Sequence, residues 1–550
     1  MIDTQAEQRT ASTGDLQREV ARRRTFAIIS HPDAGKTTLT ETLLLYGGAV
    51  NLAGSVTARK HQRQTASDWM ALERERGISI SSTVLQFDYQ GYRINLLDTP
   101  GHQDFSEDTY RTLTAADSAV MVLDAARGIE PQTLKLFEVC RLQRIPIFTF
   151  INKLDRPARD PLELLDEIEQ TLGLAVCPMN WPIGDGSEFQ GIYDRTAERV
   201  YRFDRTEHGS RRAPVQVAGI DDSKLDELIG AAPAAKLREA VELIDVAGFE
   251  FDQERVLAGE MTPVYFGSAL TNFGVQRFLD DFVKLAPPPR ARETSTGVLP
   301  ADDDAFSGFV FKVQANMDPR HRDRVAFLRV CSGRFEKDMA VRHVRLGREV
   351  RLTRPMKLFG QDREVVEEGY AGDVIGLINP GLFAVGDSVT TGENGAFAAM
   401  PRFQPEFFAR LRNARTDRYK QFQRGLDQIE EEGGIQLLYP LDAGSREPIL
   451  AAVGALQFEV VRYRLEAEYG VETILEPLGY ELVRWVSGDP EEIREIGGRR
   501  GRARAEDRDG NVVMLFRNQW DLDFAINDHP TVTFAAVGGI QAELERAGAR

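Results

Sequence analysis

The chain has 550 residues, of which 42% are hydrophobic and 28% are charged, and its net charge is −17. This length predicts two to four domains, and the absence of a long apolar run or a hydrophobic leader argues against a membrane span or a secretory signal. Three widely spaced cysteines argue against a disulfide framework or zinc site and fit a reducing cytosol. The negative net charge argues against nucleic-acid binding by the molecule as a whole. Any contact with RNA would therefore be made by the local basic runs Arg342–Arg354 and Gly497–Arg504.

The first half of the chain alternates between predicted strands and helices. The strands are near-continuous apolar runs, as expected for a parallel sheet buried on both faces: RTFAIIS, RINLLD, SAVMVLDA and IPIFTFIN. Helical spacing appears between them at Thr37–Leu45, Gln132–Arg144 and Pro161–Leu172. The alternation predicts an α/β doubly wound domain over residues 25–290, with an insert at about 160–262 and a polar leader at 1–24.

The pattern changes after Pro287-Pro288-Pro289, which we interpret as the start of a linker that includes residues 291–304. Short strands separated by close turns predict an antiparallel β-barrel over 305–395. Residues 396–550 mix strands with helices at Asp417–Glu432 and Gly454–Tyr469, which predicts an α+β domain. The span from about 204 to 222 receives no predicted element.

The segment between the first strand and the first helix has the pattern of a phosphate-binding loop. It reads Ser30, His31, Pro32, Asp33, Ala34, Gly35, Lys36 and Thr37, followed by Thr38. A loop that joins a strand to a helix directs backbone N–H groups and the helix dipole at phosphates. We expect Lys36 to reach the β- and γ-phosphates and the Thr37 hydroxyl to bind Mg²⁺. Ser30 stands where the pattern usually has its first glycine.

A second motif follows the strand RINLL directly. It consists of Asp98, Thr99, Pro100, Gly101 and His102. We expect Asp98 to hold Mg²⁺ through water and the Gly101 N–H to contact a γ-phosphate. An ordinary Pro-Gly turn is the alternative interpretation, and the phosphate-binding loop upstream favours the nucleotide site.

Two further motifs predict the nucleotide base. Asn152, Lys153, Leu154 and Asp155 follow the strand IPIFTFI, and Gly267, Ser268, Ala269 and Leu270 follow PVYF. A carboxylate such as Asp155 accepts two hydrogen bonds from guanine N1–H and its 2-amino group, whereas adenine offers no such pair. Ser268, Ala269 and Leu270 would supply backbone contact to guanine O6. The four motifs in this order predict a GTPase that uses GTP/GDP and Mg²⁺, and Asp155 argues against an ATPase.

Together these motifs resemble the translational GTPase family. Arg76-Gly77-Ile78-Ser79-Ile80 is similar to its first switch segment, and the resemblance implies that Ser79 completes the Mg²⁺ shell. It also implies that His102 is catalytic and orients the attacking water, with Lys36 and Gly101 at the γ-phosphate. In this family the large-subunit RNA of the ribosome places the histidine.

Within that family the chain resembles the bacterial class II release factors. The matching segments are His31-Pro32-Asp33, Ser67-Asp68-Trp69-Met70, RGISI with its serine, DFSEDTYRTLTAADS and VGALQFEVVRYRL. Asp155 and Ser268 stand 113 positions apart, which leaves room for an inserted subdomain. The alternative is another translational GTPase of the elongation or translocation type, disfavoured by length. A nucleotide-binding protein without hydrolysis is a further alternative.

The resemblance also implies partners and a cellular setting. We expect a cytoplasmic monomer that acts on the ribosome and, indirectly, on class I release factors bound there. No membrane is expected as a partner.

Overall fold

A computed structural model describes most of the chain. The described residues are 14–48, 80–203, 215–222, 224–315, 324–359, 362–379, 381–398, 400, 404–441, 447–499, 501–508 and 510–535. Ser79, predicted to bind Mg²⁺, lies outside these ranges, as does most of the first switch segment. Within them, no helix has both the length and the apolar character needed to cross a bilayer.

A seven-stranded sheet forms the centre of the first domain. Its strands, from edge to edge, are Thr83–Tyr89, Tyr92–Asp98, Arg23–Ser30, Ser118–Asp124, Ile147–Asn152, Met261–Phe266 and Ala175–Pro178. Six of them are parallel, as predicted, but Thr83–Tyr89 runs antiparallel to its neighbour. The two are joined by a two-residue turn in which Gln90 and Gly91 both have positive φ, the geometry that closes a tight hairpin.

Helices cover both faces of this sheet, which confirms the doubly wound α/β architecture. They are Lys36–Tyr46, Ser106–Ala115, Pro131–Leu142, Pro161–Leu172 and Val275–Leu285. Alternate residues of the first strand enter different cores, so that Phe26 and Ile28 pack in one and Ala27 and Ile29 in the other. Each large apolar side chain that is fully buried contributes roughly 1.5–3 kcal/mol. The sheet is therefore held by apolar packing on both of its faces.

The insert between the base-recognition motifs forms a second, antiparallel sheet. Its strands are Asn180–Ile183, Gly191–Asp194, Arg199–Phe203 and Val215–Gly219, and its helices are Leu225–Ile229, Ala231–Ala247 and Gln253–Ala258. Val215–Gly219 falls in the span that had no predicted element, and the described chain omits residues 204–214. The helix Pro161–Leu172 and the strand Ala175–Pro178 precede this sheet and belong to the central one.

The predicted leader and linker contain regular structure that contacts the domains. Residues 14–21 are helical, and Leu16 and Val20 pack against Ala301 and Ala371. The predicted linker includes a hairpin formed by Arg292–Thr294 and Gly297–Leu299. Polar composition alone did not indicate these contacts, because each buries only a few apolar side chains.

The second domain is a curled antiparallel sheet of eight strands, in agreement with the predicted barrel class. Their order is Arg348–Arg351, Ala340–His343, Ser388–Thr390, Ser307–Ala315, Arg324–Ser332, Val374–Ile378, Pro355–Phe359 and Asp362–Val365. A two-stranded ribbon of Arg334–Glu336 and Glu368–Tyr370 lies beside it. Its own apolar core includes Val310, Leu328 and Ile375.

The third domain combines an eight-stranded sheet with helices, as the α+β prediction requires. The strands are Thr473–Pro477, Phe407–Asn413, Ile449–Ala452, Gln436–Pro440, Ala503–Glu506, Val512–Phe516, Leu482–Ser487 and Thr533–Ala535. The helices are Tyr419–Glu431, Leu456–Tyr469, Pro490–Gly498 and Gln519–Asp528. The first two of these helices begin two residues later than the sequence predicts.

A buried arginine joins the first two domains. Arg329 of the second domain pairs with Asp117 of the first, and their side chains are 1% and 0% exposed. Arg329 also donates a hydrogen bond of 2.6 Å to Thr25 Oγ1 and another to the Gly372 carbonyl. Arg292 adds a second contact to Asp117 at 3.4 Å. The interface therefore depends on charges that water cannot reach.

We predict that Asp117→Ala lowers the free energy of unfolding by about 3–5 kcal/mol, because it leaves a buried guanidinium without its carboxylate. Urea denaturation followed by circular dichroism measures the change. The matched control is Glu368→Ala, which breaks the exposed pair with Arg334 and should cost less than about 1 kcal/mol. Equal losses in both variants would contradict a special role for the buried pair.

Candidate nucleotide-binding site

The four predicted motifs meet at one edge of the central sheet. In the parallel register, Ile28 lies opposite Asp98, Asp124 opposite Asn152, and Phe266 opposite Ile151. The loops that follow these strands therefore leave the sheet on the same side. Ligands of open α/β sheets bind outside the carboxyl ends of the strands, and the predicted motifs occupy that position.

The phosphate-binding loop passes into the helix Lys36–Tyr46 through a glycine whose backbone conformation and close neighbours disfavour a side chain. Gly35 is at the N-cap with φ 97°, and a Cβ placed there would lie 2.3 Å from Asn152 Nδ2. Asp33 also has a positive φ of 65°. The loop thus turns tightly beneath Asn152, with the positive end of the helix dipole at its base.

Asn152 connects the phosphate-binding loop to the loop predicted to contact the base. Its Nδ2 donates to the Ala34 carbonyl at 3.0 Å, and its Oδ1 accepts from the Ala269 N–H at 2.9 Å. Thr42 adds to this connection, since its hydroxyl donates to the Ala269 carbonyl at 3.1 Å. One buried amide therefore sets the distance between the two halves of the site.

Asp155 and Ser268 also come together, although they are far apart in the chain. The Ser268 hydroxyl donates to Asp155 Oδ1 at 2.6 Å, which orients the carboxylate. By contrast, the Leu154 side chain is buried in the hydrophobic core. Only the backbone of Leu154 is therefore available to a nucleotide.

Lys153 is held by a carboxylate that sequence analysis missed. Its Nζ lies 2.8 Å from Asp124 Oδ2, and its backbone has a positive φ of 70°. Burial alone would raise the pKa of Asp124, but hydrogen bonds from Lys153 and from the Ala126 N–H lower it below its usual value. Asp124 ends the strand SAVMVLD, so its place at a strand end was the signal that could have found it.

The second motif approaches the phosphate-binding loop closely. Asp98 Oδ1 lies 3.8 Å from Lys36 Nζ, and both side chains are buried. The Thr99 hydroxyl donates to the Ile28 carbonyl at 2.6 Å, which ties this motif to the first strand. A Cβ at Gly101 would lie 3.5 Å from Pro32 Cα and 3.8 Å from Lys36 Nζ. Gly101 therefore sits beside the lysine predicted to bind phosphate.

The two histidines of the site differ in their partners. His31 Nε2 lies 3.3 Å from Glu130 Oε1. His102 is one-third exposed, and its Nδ1 accepts a hydrogen bond of 3.3 Å from the Asp104 backbone N–H and lies 3.2 Å from Asp104 Oδ1.

The donors near Thr37 and Asp98 fit Mg²⁺ better than a transition metal. A hydroxyl and a carboxylate are hard oxygen ligands, and Mg²⁺ completes its shell with phosphate and water oxygens. Among the described residues, no group of three or more His, Cys, Asp or Glu side chains is arranged to hold a metal ion.

The first two domains match known protein families. Residues 21–288 match the family "Elongation factor Tu GTP binding domain", and residues 305–392 match "Elongation factor G domain 2". A crystal structure of a protein from Thermus thermophilus superposes with a TM-score of 0.67 at 25% identity, covering 88% of this chain and 72% of that one. With the four nucleotide motifs, these matches define a translational GTPase, an enzyme that hydrolyses GTP.

The third domain and relatives of similar length indicate which translational GTPase family the chain belongs to. Residues 397–526 match "Class II release factor RF3, C-terminal domain". Peptide chain release factor 3 of Gloeobacter violaceus is 58% identical, over 95% of this chain and 99% of that protein. The protein of the same name from Microcystis aeruginosa is 56% identical, over 95% of this chain and 96% of its own length. The chain belongs to the peptide chain release factor 3 family.

We predict that Asn152→Ala weakens GDP and GTP binding by about ten- to a hundredfold, because two buried groups lose their partners at a cost of roughly 1–3 kcal/mol. Titration with a fluorescent GDP measures the affinity. Asn511→Ala in the third domain is the control, since the Asn511 amide bonds to Asp507 in the neighbouring turn and not to the nucleotide loops. An affinity equal to that of the unchanged protein would contradict the connecting role of Asn152.

Proposed function

We propose that this GTPase promotes the dissociation of class I release factors from the ribosome after peptide release. The observation that carries the proposal is the full-length similarity to proteins named peptide chain release factor 3. The matching third-domain family supports it independently. The alternative, a translocation-type factor, receives no support from the relatives.

The site residues are proposed from the sequence motifs, and the contacts of the described residues support them. Lys36 binds the β- and γ-phosphates, and the Gly101 N–H contacts the γ-phosphate, since these two residues are adjacent. Thr37 and, through water, Asp98 would hold Mg²⁺, which would neutralise phosphate charge. Ser79 keeps its predicted place in that set, although it lies outside the described residues. Ser30, His31, Pro32, Asp33, Ala34, Gly35, Thr38, Thr99 and Pro100 complete the phosphate side.

Hydrolysis requires one water and no covalent intermediate. The water oxygen attacks the γ-phosphorus, the bond to the bridging oxygen breaks, and GDP and inorganic phosphate are the products. His102 orients that water through its ring. Because the side chain is partly exposed, large-subunit RNA of the ribosome can reach it and complete its alignment.

The proposed partners are the ribosome and, indirectly, the class I release factors bound to it. The protein acts as a cytoplasmic monomer on the ribosome, and class I release factors are affected indirectly. The basic run Arg342–Arg354 is a weaker candidate for RNA binding than its composition indicates, because Arg345 pairs with Asp387 and Arg342 donates to the Asn394 carbonyl.

The domain limits 25–290, 305–395 and 396–550 are supported by the three family matches.

Base specificity is testable at Asp155. We predict that Asp155→Asn lowers GTP affinity at least tenfold and shifts preference toward xanthosine triphosphate, because the amide donates to the 2-oxo group of xanthine. Competition binding with the two triphosphates measures the preference. Asp166→Asn on the helix Pro161–Leu172, where Asp166 bonds to Gln170 one turn away, is the matched control. An unchanged preference for GTP would contradict base recognition by Asp155.

The function itself is tested by the release of a fluorescent class I factor from post-release ribosomes. We expect at least tenfold faster dissociation with the protein and GTP than with the protein and GDP or without the protein. His102→Ala should bind GTP normally but lose ribosome-stimulated hydrolysis about a hundredfold or more, the usual scale for a catalytic group that positions a proton.

Two outcomes would contradict the proposal in different ways. No acceleration, alongside normal GTP hydrolysis, would move the protein to another step of translation. Normal hydrolysis by His102→Ala would remove the histidine from the mechanism while leaving the ribosomal role open to the dissociation assay.

A further inference from the structure

Asp104 contacts both the candidate catalytic histidine and the third domain. Its Oδ1 lies 3.2 Å from His102 Nδ1. Its Oδ2 accepts a hydrogen bond of 2.7 Å from the backbone N–H of Leu456, which is 352 positions away. The carboxylate is largely buried between the two. One side chain thus lies between the site of hydrolysis and a different domain.

The helix Leu456–Tyr469 receives its N-terminal cap from this contact. Ala455 stands at its N-cap and supplies no side-chain hydrogen bond. The first N–H groups of a helix need acceptors from outside it, and its dipole favours a negative charge at that end. Asp104 supplies both an acceptor and a charge, so the first domain performs a role that a Ser, Thr, Asn or Asp at the N-cap normally performs.

The backbone of the third domain is shaped to allow this approach. A Cβ on Gly454 would lie 2.2 Å from Asp104 Cγ, a distance at which the carboxylate would have to move. Apolar contacts flank the polar one, since Ile80 and Phe105 of the first domain pack against Leu456, Val460 and Tyr463. The contact is therefore enclosed on one side by apolar side chains and on the other by a glycine.

We propose that Asp104 is a positioning residue through which docking of the third domain sets the orientation of His102. This rests on the proposed function, because it takes His102 as the residue that orients water. The Asp104 N–H donates a hydrogen bond of 3.3 Å to His102 Nδ1, and the Asp104 carboxylate lies 3.2 Å from the same atom. Asp104 therefore restricts rotation of the imidazole at one ring nitrogen and leaves the other nitrogen to act on the reacting group. Since the Leu456 N–H holds the same carboxylate, the position of the third domain controls the position of the ring.

The test changes the third domain and measures the chemistry of the first. Gly454→Ala should displace Asp104 and lower the kcat of ribosome-stimulated GTP hydrolysis at least tenfold. The KM for ribosomes and the Kd for GDP should stay within twofold, because neither depends on the ring of His102. Gly479→Ala is the matched control, as a Cβ there meets nothing within 4 Å.

A double-variant cycle separates positioning from a general loss of structure. Placed in a His102→Ala protein, Gly454→Ala should cause no further loss, because residues that act through one group are not additive. Asp104→Ala, which introduces no steric conflict, should behave in the same way and keeps the test available if Gly454→Ala does not fold.

Three results would overturn the proposal. The first is an unchanged or raised kcat in both Gly454→Ala and Asp104→Ala, and the second is an equal fold-loss with and without His102. Both leave the proposed function intact if His102→Ala is inactive. The third is a normal rate for His102→Ala itself, which removes the catalytic assignment and with it the role of Asp104.

Discussion

The strand Arg23–Ser30 pairs in parallel with a neighbour on each side, and this pairing sets where the nucleotide motifs lie. The strand is buried along its whole length and pairs on both sides. Because parallel strands all end at the same edge, their loops must share one region of the surface. The four nucleotide motifs are therefore neighbours in space although they are spread along most of the first domain. Asn152 then converts this proximity into a fixed distance through its two hydrogen bonds.

Buried charges, rather than broad apolar surfaces alone, define how the domains meet. Besides Arg329 and Asp117, Lys312 of the second domain donates to Ser81 Oγ and to the Ser82 carbonyl, both at 2.6 Å. It also lies 3.3 Å from Asp108 on the helix after the second motif. Burial alone would raise the pKa of Asp108, but Lys312 and the Ser82 N–H lower it below its usual value.

Such contacts hold the domains in the arrangement described here. A buried ion pair is costly to break when one partner stays behind, so small displacements of one domain against another are disfavoured. Lys312 contacts Ser81, which directly follows the first switch segment, and Asp104, two positions after the second motif, contacts the third domain. Residues next to two of the predicted nucleotide segments are thus in direct contact with the two domains that follow.

The class of protein, the four motifs and the alternation of strands and helices could be predicted from the sequence, because each of these depends on residues that are close together in the chain. The sequence also predicted that Asp155 would recognise guanine, since the chemistry of a carboxylate is independent of the fold. The antiparallel direction of the strand Thr83–Tyr89, the hairpin within the predicted linker and the contacts of Asp124 and Asp104 became apparent only from the three-dimensional fold. The hydrogen bond between Asp104 and Leu456 joins residues 352 positions apart. No local sequence pattern predicts it, because it forms only when two domains pack together.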